Sequence, residues 1–486
     1  MRYVTCNSFK LCTGCIICIF NKGCLTVSLK TKPVLSRLIG CKPEARFILE
    51  AIARDGSLGR DEGQCIRSKL LAKQLHMVEG TVTAALGELV AAGLVERIES
   101  ASTGKGRPKV SYQVAPQSLV LPEGQQCSHA LHSEHMQRLF SEADIPAEIS
   151  GAQPKPRKES AIVTKHGKPA PPGGRSRLSI CNRLLLGALL ANADQFGVVV
   201  GLSNLELRQL TGLDSESLSH RLQRLRGLGL IRSYVPGVTS SVFRTKKVSS
   251  TYFLNLNHPG YGLCEVGAVL VHWLPQSKVR NDTFDVLWRD VLGFRSSLPP
   301  LNRPETPKTV LHFLARERRP VFDVLRLMLY RCASELLSRH WDDLARDGEG
   351  DYDWLRDRIE ADLQPPAGYG GAGVESDGAW REILSHFYKL AVEIAQAYRA
   401  RFGVANWIGF DLAQLCILPV LQSEGDEVIA LLLQPRPTEA SICTILREDS
   451  RGDVNPEHWG AETEVPLDYR LYCGLLTPPA RRLLKR

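Results

Sequence analysis

The chain has 486 residues, enough for two to four domains that each bury a core. Its 43% apolar and 23% charged residues are ordinary for a soluble globular protein and exclude a disordered or collagen-like chain. The net charge of +9 is unevenly placed: residues 1–262 carry 34 Lys and Arg against 19 Asp and Glu, whereas residues 263–486 carry 27 against 33. That asymmetry points to a polyanion as partner of the first half and not of the second, although uneven surface charge alone is common.

Of the fourteen cysteines, Cys6, Cys12, Cys15, Cys18 and Cys24 cluster at the start. Cys12, Cys15 and Cys18 have the spacing that lets neighbouring thiolates face one ion. Cys24 is a poor fourth ligand, six residues on and with no Pro after it, so no metal or cofactor is expected. Residues 1–30 are alternatively read as lying upstream of the true start, and residues 1–41 are set apart as an N-terminal extension. The remaining cysteines lack disulfide-scaffold density and fit a reducing cytosol. The short apolar stretch at 15–20 has no cleavage site after it. Longer apolar runs at 184–200 and 404–421 contain Asn192, Asp194, Gln195 and Asp411, which favour a buried core over a membrane span.

In chain order, residues 43–54 predict a first helix, with Pro43 in its opening turn and Phe47, Ile48, Ala51 and Ile52 at helical spacing. Residues 68–75 predict a second, with Leu70, Leu71 and Leu75 inward. Residues 79–92 predict a third on Val82, Leu86 and Leu89, ended by Gly93. A strand follows at 94–98, then a Gly-rich basic loop at 100–108 and a returning strand at 110–114. The same order returns about 136 residues later: helices at 178–193, 204–210 (opened by Ser203) and 214–228, Gly229, a strand at 230–234, a long loop at 236–250 and a strand at 251–256. In the later third helix Leu218, Leu222 and Leu225 are expected inward. Residues 117–177 read as a flexible linker whose stretch 151–177 holds seven Lys and Arg against one Glu. Residues 261–486 read as a mostly helical acidic domain, with helices at 322–339 and 380–402, an exposed acidic stretch at 342–362 and a strand at 427–433. The expected fold class is mainly α with small β wings.

Helix, helix, helix, strand, basic loop, strand resembles the winged helix-turn-helix of bacterial transcriptional regulators, including the MarR type. The resemblance rests on Gly80-Thr81-Val82-Thr83, on the Gly93-Leu94-Val95 exit and on Thr103-Gly104-Lys105-Gly106-Arg107-Pro108-Lys109 leading to Tyr112. It covers roughly 150 of the 486 residues, as two domains at 42–116 and 178–260. It implies that the third helix of each copy enters the major groove of double-stranded DNA while the wing reaches backbone or minor groove. An inward Val82/Leu86/Leu89 face turns Gly80, Thr83, Ala84 and Gly87 outward, with Thr81 and Thr83 able to bond phosphates or base edges. In the second copy Glu216, His220, Gln223 and Arg224 face outward, flanked by Ser217, Ser219 and Arg221; Gln suits adenine and Arg suits guanine. Lys105, Arg107 and Lys109 on one wing, and Arg244, Lys246 and Lys247 on the other, are the expected phosphate contacts.

Signals for an enzyme are poor. Residues 368–373 satisfy G-x-G-x-x-G by letter, but Pro365-Pro366 stands where a strand is needed and Ser376-Asp377-Gly378 where a helix should run. Thr103–Gly106 lacks the spacing of a phosphate loop, no H-E-x-x-H or G-x-S-x-G occurs, and His129, His132 and His135 read as surface residues. The leading expectation is a cytoplasmic, nucleoid-associated transcriptional regulator with no membrane partner. Its acidic region would supply self-association, an effector pocket or a protein-binding surface. A replication initiator of a plasmid or integrative element, and an adaptor whose winged helices bind protein, are the alternatives.

Overall fold

The structure is a computed structural model that describes residues 38–54, 66–100, 109–115, 131–141, 178–261, 267–274, 283–296, 306–345, 350–366, 374–410, 413–419, 427–437, 440–449 and 451–476. The first copy comprises α1 (Pro43–Arg54), α2 (Ser68–Leu75), α3 (Glu79–Ala91) and the antiparallel pair β1 (Val95–Ser100) and β2 (Lys109–Val114). After α4 (Ser133–Ser141) come α5 (Ile180–Leu190), β3 (Val198–Val199), α6 (Asn204–Thr211), α7 (Ser215–Gly227), β4 (Ile231–Val235), β5 (Val238–Thr239), β6 (Lys247–Val248) and β7 (Thr251–Leu254). The starts of α2, α3 and β1 each precede those of α6, α7 and β4 by 136 residues.

The two copies also match bond for bond where the third helix ends. Gly93 N–H donates to Val90 O (2.9 Å) and Leu94 N–H to Leu89 O (2.9 Å); Gly229 and Leu230 repeat this with Arg226 O (3.0 Å) and Leu225 O (3.1 Å). Both glycines sit at positive φ, +67° and +77°, which an L side chain resists. The returning strands meet the same carbonyls: Ala115 N–H donates to Leu94 O, and Asn255 N–H to Leu230 O. Each returning strand also takes a partner from the segment before the second helix, Ile66 with Tyr112 and β3 with β7.

The chain divides into two compact units, Met1–Ala143 with Arg183–Asp194 and Gln209–Gly212, and the remainder. In the first, Phe47 of α1 stacks on Phe140 of α4 at 5.1 Å. Met136, Leu139 and Phe140 are all buried, at the i, i+3, i+4 spacing of an apolar helix face. Residues 133–141, inside the stretch expected to be linker, therefore form a packed helix, and His132 and His135 are buried, not surface, residues. Gly187 is the close-approach point: a Cβ there would lie 2.7 Å from the Phe140 ring. Buried Arg46 joins distant backbone, donating to Leu38 O (2.6 Å), Cys41 O (3.1 Å) and the carbonyl of Gln209. Leu70 departs from expectation; it is 57% exposed.

The second unit overturns the expected fold class. Residues beyond 261 add to their helices a sheet that is no small wing. They build a five-stranded mixed sheet from β8 (Ala268–Leu274), β9 (Gln414–Leu418), β10 (Glu427–Gln434), β11 (Cys443–Glu448) and β12 (Val454–Trp459), in the order β12-β11-β8-β10-β9. Central β8 runs parallel to β11 and antiparallel to β10. Its sequence AVLVHWL is buried on both faces, so no alternation marks it as a strand. Around the sheet run α8 (Thr283–Ser296), α9 (Lys308–Leu314), α10 (Arg319–Arg339), α11 (Asp353–Asp362), α12 (Val374–Phe402) and α13 (Leu467–Tyr472). Edge strand β9 is closed by α10: Leu415 N–H donates to Ser338 Oγ (2.8 Å) and Ile417 N–H to Ser334 Oγ (2.9 Å). Helix α12 begins early enough to include Ser376–Gly378, where no helix was expected; residues 368–373 lie outside the described residues.

One apolar core runs from the second copy into this domain, with Val198, Val235, Phe243 and Phe253 joining β8 and α10. A buried ion pair reinforces it. Arg232 of β4 meets Glu462 two-pronged, at 2.6 and 2.7 Å, and donates to Asn255 Oδ1 at 2.7 Å; both charged side chains are 2% exposed. Removing one partner strands the other charge in the core. Arg232→Met or Glu462→Met alone should therefore lower stability by about 3–5 kcal/mol, and the double replacement should recover most of it. Urea unfolding of the four species checks this, and additive single effects would show the two residues to be uncoupled.

Candidate nucleic-acid interface

Helix α3 forms because Val82, Ala85, Leu86 and Leu89 recur on one buried stripe. Its other face is small: Gly80, Thr81, Thr83, Ala84 and Gly87 are exposed, as the sequence pattern required. The Thr83 hydroxyl donates back to Glu79 O at 2.9 Å. A Cβ at Gly80 or Gly87 would meet nothing within 4 Å, so packing inside the chain does not explain either glycine. The helix carries no Lys or Arg, and Glu88 is engaged by Lys42, accepting from its backbone N–H at 2.8 Å.

Helix α7 has the opposite chemistry. Asp214 caps its start, accepting from Ser217 N–H (2.8 Å) and Ser217 Oγ (2.7 Å), and those bonds hold its carboxyl below the ordinary value. Ser217, expected at the interface, is thereby committed to the cap. Leu218 and Leu225 are buried, whereas Leu222 is only half-buried. Ser219, His220 and Arg224 are exposed and Gln223 is half-buried beside them. Among the described residues, the side chains of His220, Gln223 and Arg224 make no hydrogen bond or ion pair. Arg221, which the sequence places only at the flank, is a brace: it donates to Ser179 Oγ and Asn182 Oδ1, each at 3.1 Å. No residue-level signal separates it from Arg224, since only the fold brings residues 179 and 182 to it.

The wings differ. Lys105 and Arg107 lie outside the described residues, and Lys109 begins β2. In the second copy Val242 and Phe243 are buried, and the strand segment is docked by backbone bonds: Gln364 N–H to Val242 O (2.8 Å) and Arg244 N–H to Asp362 O (3.1 Å). Arg244 also donates to Glu360 O at 3.4 Å. Lys246 and Lys247 remain exposed, Lys246 at φ +55° in the turn. The apolar Val-Phe pair inside an otherwise polar loop was the available signal for this docking.

No known protein family matches the chain, and no curated protein matches it. The geometry that bears on function is that of α3, α7 and the loop at 236–250. Among the described residues no three His, Cys, Asp or Glu side chains gather as a metal site, and no helix is long and apolar enough to cross a membrane. Cys6 to Cys24 lie outside those residues.

Two outcomes follow from the helices themselves. Gly80→Ala and Gly87→Ala should each raise stability by about 0.5–1 kcal/mol, because the backbone entropy of glycine is removed without a clash; thermal melts check this. Asp214→Ala should destabilise the chain at neutral pH. Its lowered carboxyl pKa means that the cap's contribution is complete above the ordinary Asp value and fades as pH falls through the folded one. The gap between variant and parent should close in acid, as denaturation at a series of pH values would measure.

Proposed function

We propose that this chain is a sequence-selective double-stranded DNA-binding protein, acting in the cytoplasm at the nucleoid as a transcriptional regulator through two winged helix-turn-helix domains. The observation that carries the reading is the exposed face of α7. His220, Gln223 and Arg224 stand there without partners among the described residues, on a helix fixed at its start by Asp214 and at its side by Arg221. Gln and Arg are the side chains that pair two-pronged with adenine and guanine edges, each such contact contributing roughly 1–3 kcal/mol of discrimination. The small face of α3 supports close seating against a partner surface. It lacks paired donors and acceptors, so α3 positions while α7 reads. Lys246 and Lys247, with Lys105, Arg107 and Lys109 of the first wing, supply phosphate contacts. No catalytic role is assigned to any residue.

A replication initiator is the second reading, favoured by the large sheet domain that shares its core with the second copy. Palindromic preferred sites support a regulator, and directly repeated sites an initiator. Selection of preferred sites from a random duplex library tests the roles of the two helices. Arg224→Ala or Gln223→Ala should relax preference at one or two base positions, whereas Thr83→Ala should lower affinity with the motif retained. An unchanged motif in Arg224→Ala, with an altered one in Thr83→Ala, would reverse the assignment. Gly87→Leu should weaken duplex binding at least tenfold while the thermal midpoint holds; unimpaired binding would remove α3 from the interface.

A further inference from the structure

The sheet domain holds a cavity of about 190 Å³ lined by Trp341, Asp342, Arg399, Gly403, Asn406, Ile408 and Phe410. It lies where α10 and α12 end. Trp341 stacks on Phe410 at 4.1 Å and 16°, and the Arg399 guanidinium lies 4.7 Å from the Trp341 ring centre. That guanidinium is oriented by one bond, from Nε to Trp341 O at 3.0 Å. Its terminal nitrogens make no hydrogen bond or ion pair among the described residues, and neither does the carboxylate of Asp342. These two opposite charges line one cavity without closing on each other as an ion pair.

We infer that this cavity is a binding site for a small zwitterion of the free α-amino-acid class, its carboxylate on Arg399 and its ammonium on Asp342. A guanidinium with a terminal fork left over matches a planar carboxylate two-pronged. An ammonium is favoured by the Asp342 carboxylate and by the carbonyl ends of two helices. A simple anion would meet Asp342 and the helix ends unfavourably, and a simple cation would meet Arg399. Only a molecule carrying both charges satisfies both. The aromatic pair and Ile408 leave an apolar wall for a side chain, and the volume suits an amino acid, not a nucleotide. This inference stands independently of DNA binding.

Isothermal titration calorimetry of the full chain with each of the twenty free L-amino acids tests it. At least one should bind. Its methyl ester, which lacks the carboxylate, and its descarboxy amine should each bind roughly 10–100-fold more weakly, as expected for a lost charge-assisted pair. Arg399→Gln and Asp342→Asn should weaken the amino acid to the same degree. Asp342 is exposed, so Asp342→Asn keeps the test open if Arg399→Gln misfolds. Absence of binding by all twenty at ~10 mM, or affinity within about threefold of the parent in Asp342→Asn, would overturn the assignment.

Discussion

The ion pair between Arg232 and Glu462 is the constraint on which the second unit depends. Two charges at 2% exposure lose their hydration, and the two-pronged contact and the Asn255 oxygen compensate Arg232. The geometry must therefore be held closely, and holding it fixes β4 against the turn that contains Glu462. Strand β4 leaves α7 through Gly229 and Leu230, so the orientation of α7 is set by the same contact. Around it, burial pushes the His258 imidazole down to about 4 and raises the Cys443 thiol. Neither group supplies a charge that could replace either partner at neutral pH.

The two copies start from one backbone plan and reach different surroundings. At Gly93 the exit of α3 is open, with nothing within 4 Å of an added Cβ; at Gly229 the same turn lies against Leu476, 2.7 Å from that position. In the second copy the wing is also taken up, Phe243 entering the core that the sheet domain shares. A helix held this firmly is suited to presenting Gln223 and Arg224 at a defined angle, since reading a base edge depends on geometry more than on charge. Helix α3, with its small uncharged face, makes weaker demands on orientation.

The helices of both copies were legible because each carries its own punctuation: Pro43 in a first turn, Ser203 before α6, Gly93 and Gly229 after a third helix. The expected bounds of α1 and α2 agree with the observed ones. The exposed face of α3 was equally legible, because Val82, Leu86 and Leu89 determine it. The sheet was not. Strand β8 is apolar on both sides and lacks the alternation that would separate it from buried helix, and the five-residue β9 lies within an apolar run that continues from α12. The braces of the site escaped for another reason. Arg221 with Asn182, and Arg244 with Glu360, are contacts made only after folding, between residues 39 and 116 positions apart. Leu222 illustrates the same limit: its spacing places it inward, but neighbouring elements leave it half-covered.

Contact between the basic half of the chain and the phosphates of a duplex is tested most directly by the salt dependence of affinity. Fluorescence anisotropy of a labelled duplex, titrated with the full chain across a series of salt concentrations, yields the slope of log affinity against log salt. A steep linear fall is expected, about 0.9 in slope for each phosphate neutralised. Replacing Lys105, Arg107 and Lys109 with Ala should make that slope shallower, weakening all duplex sequences alike. Absence of duplex binding at low salt, or an affinity that does not change with salt, would contradict that contact.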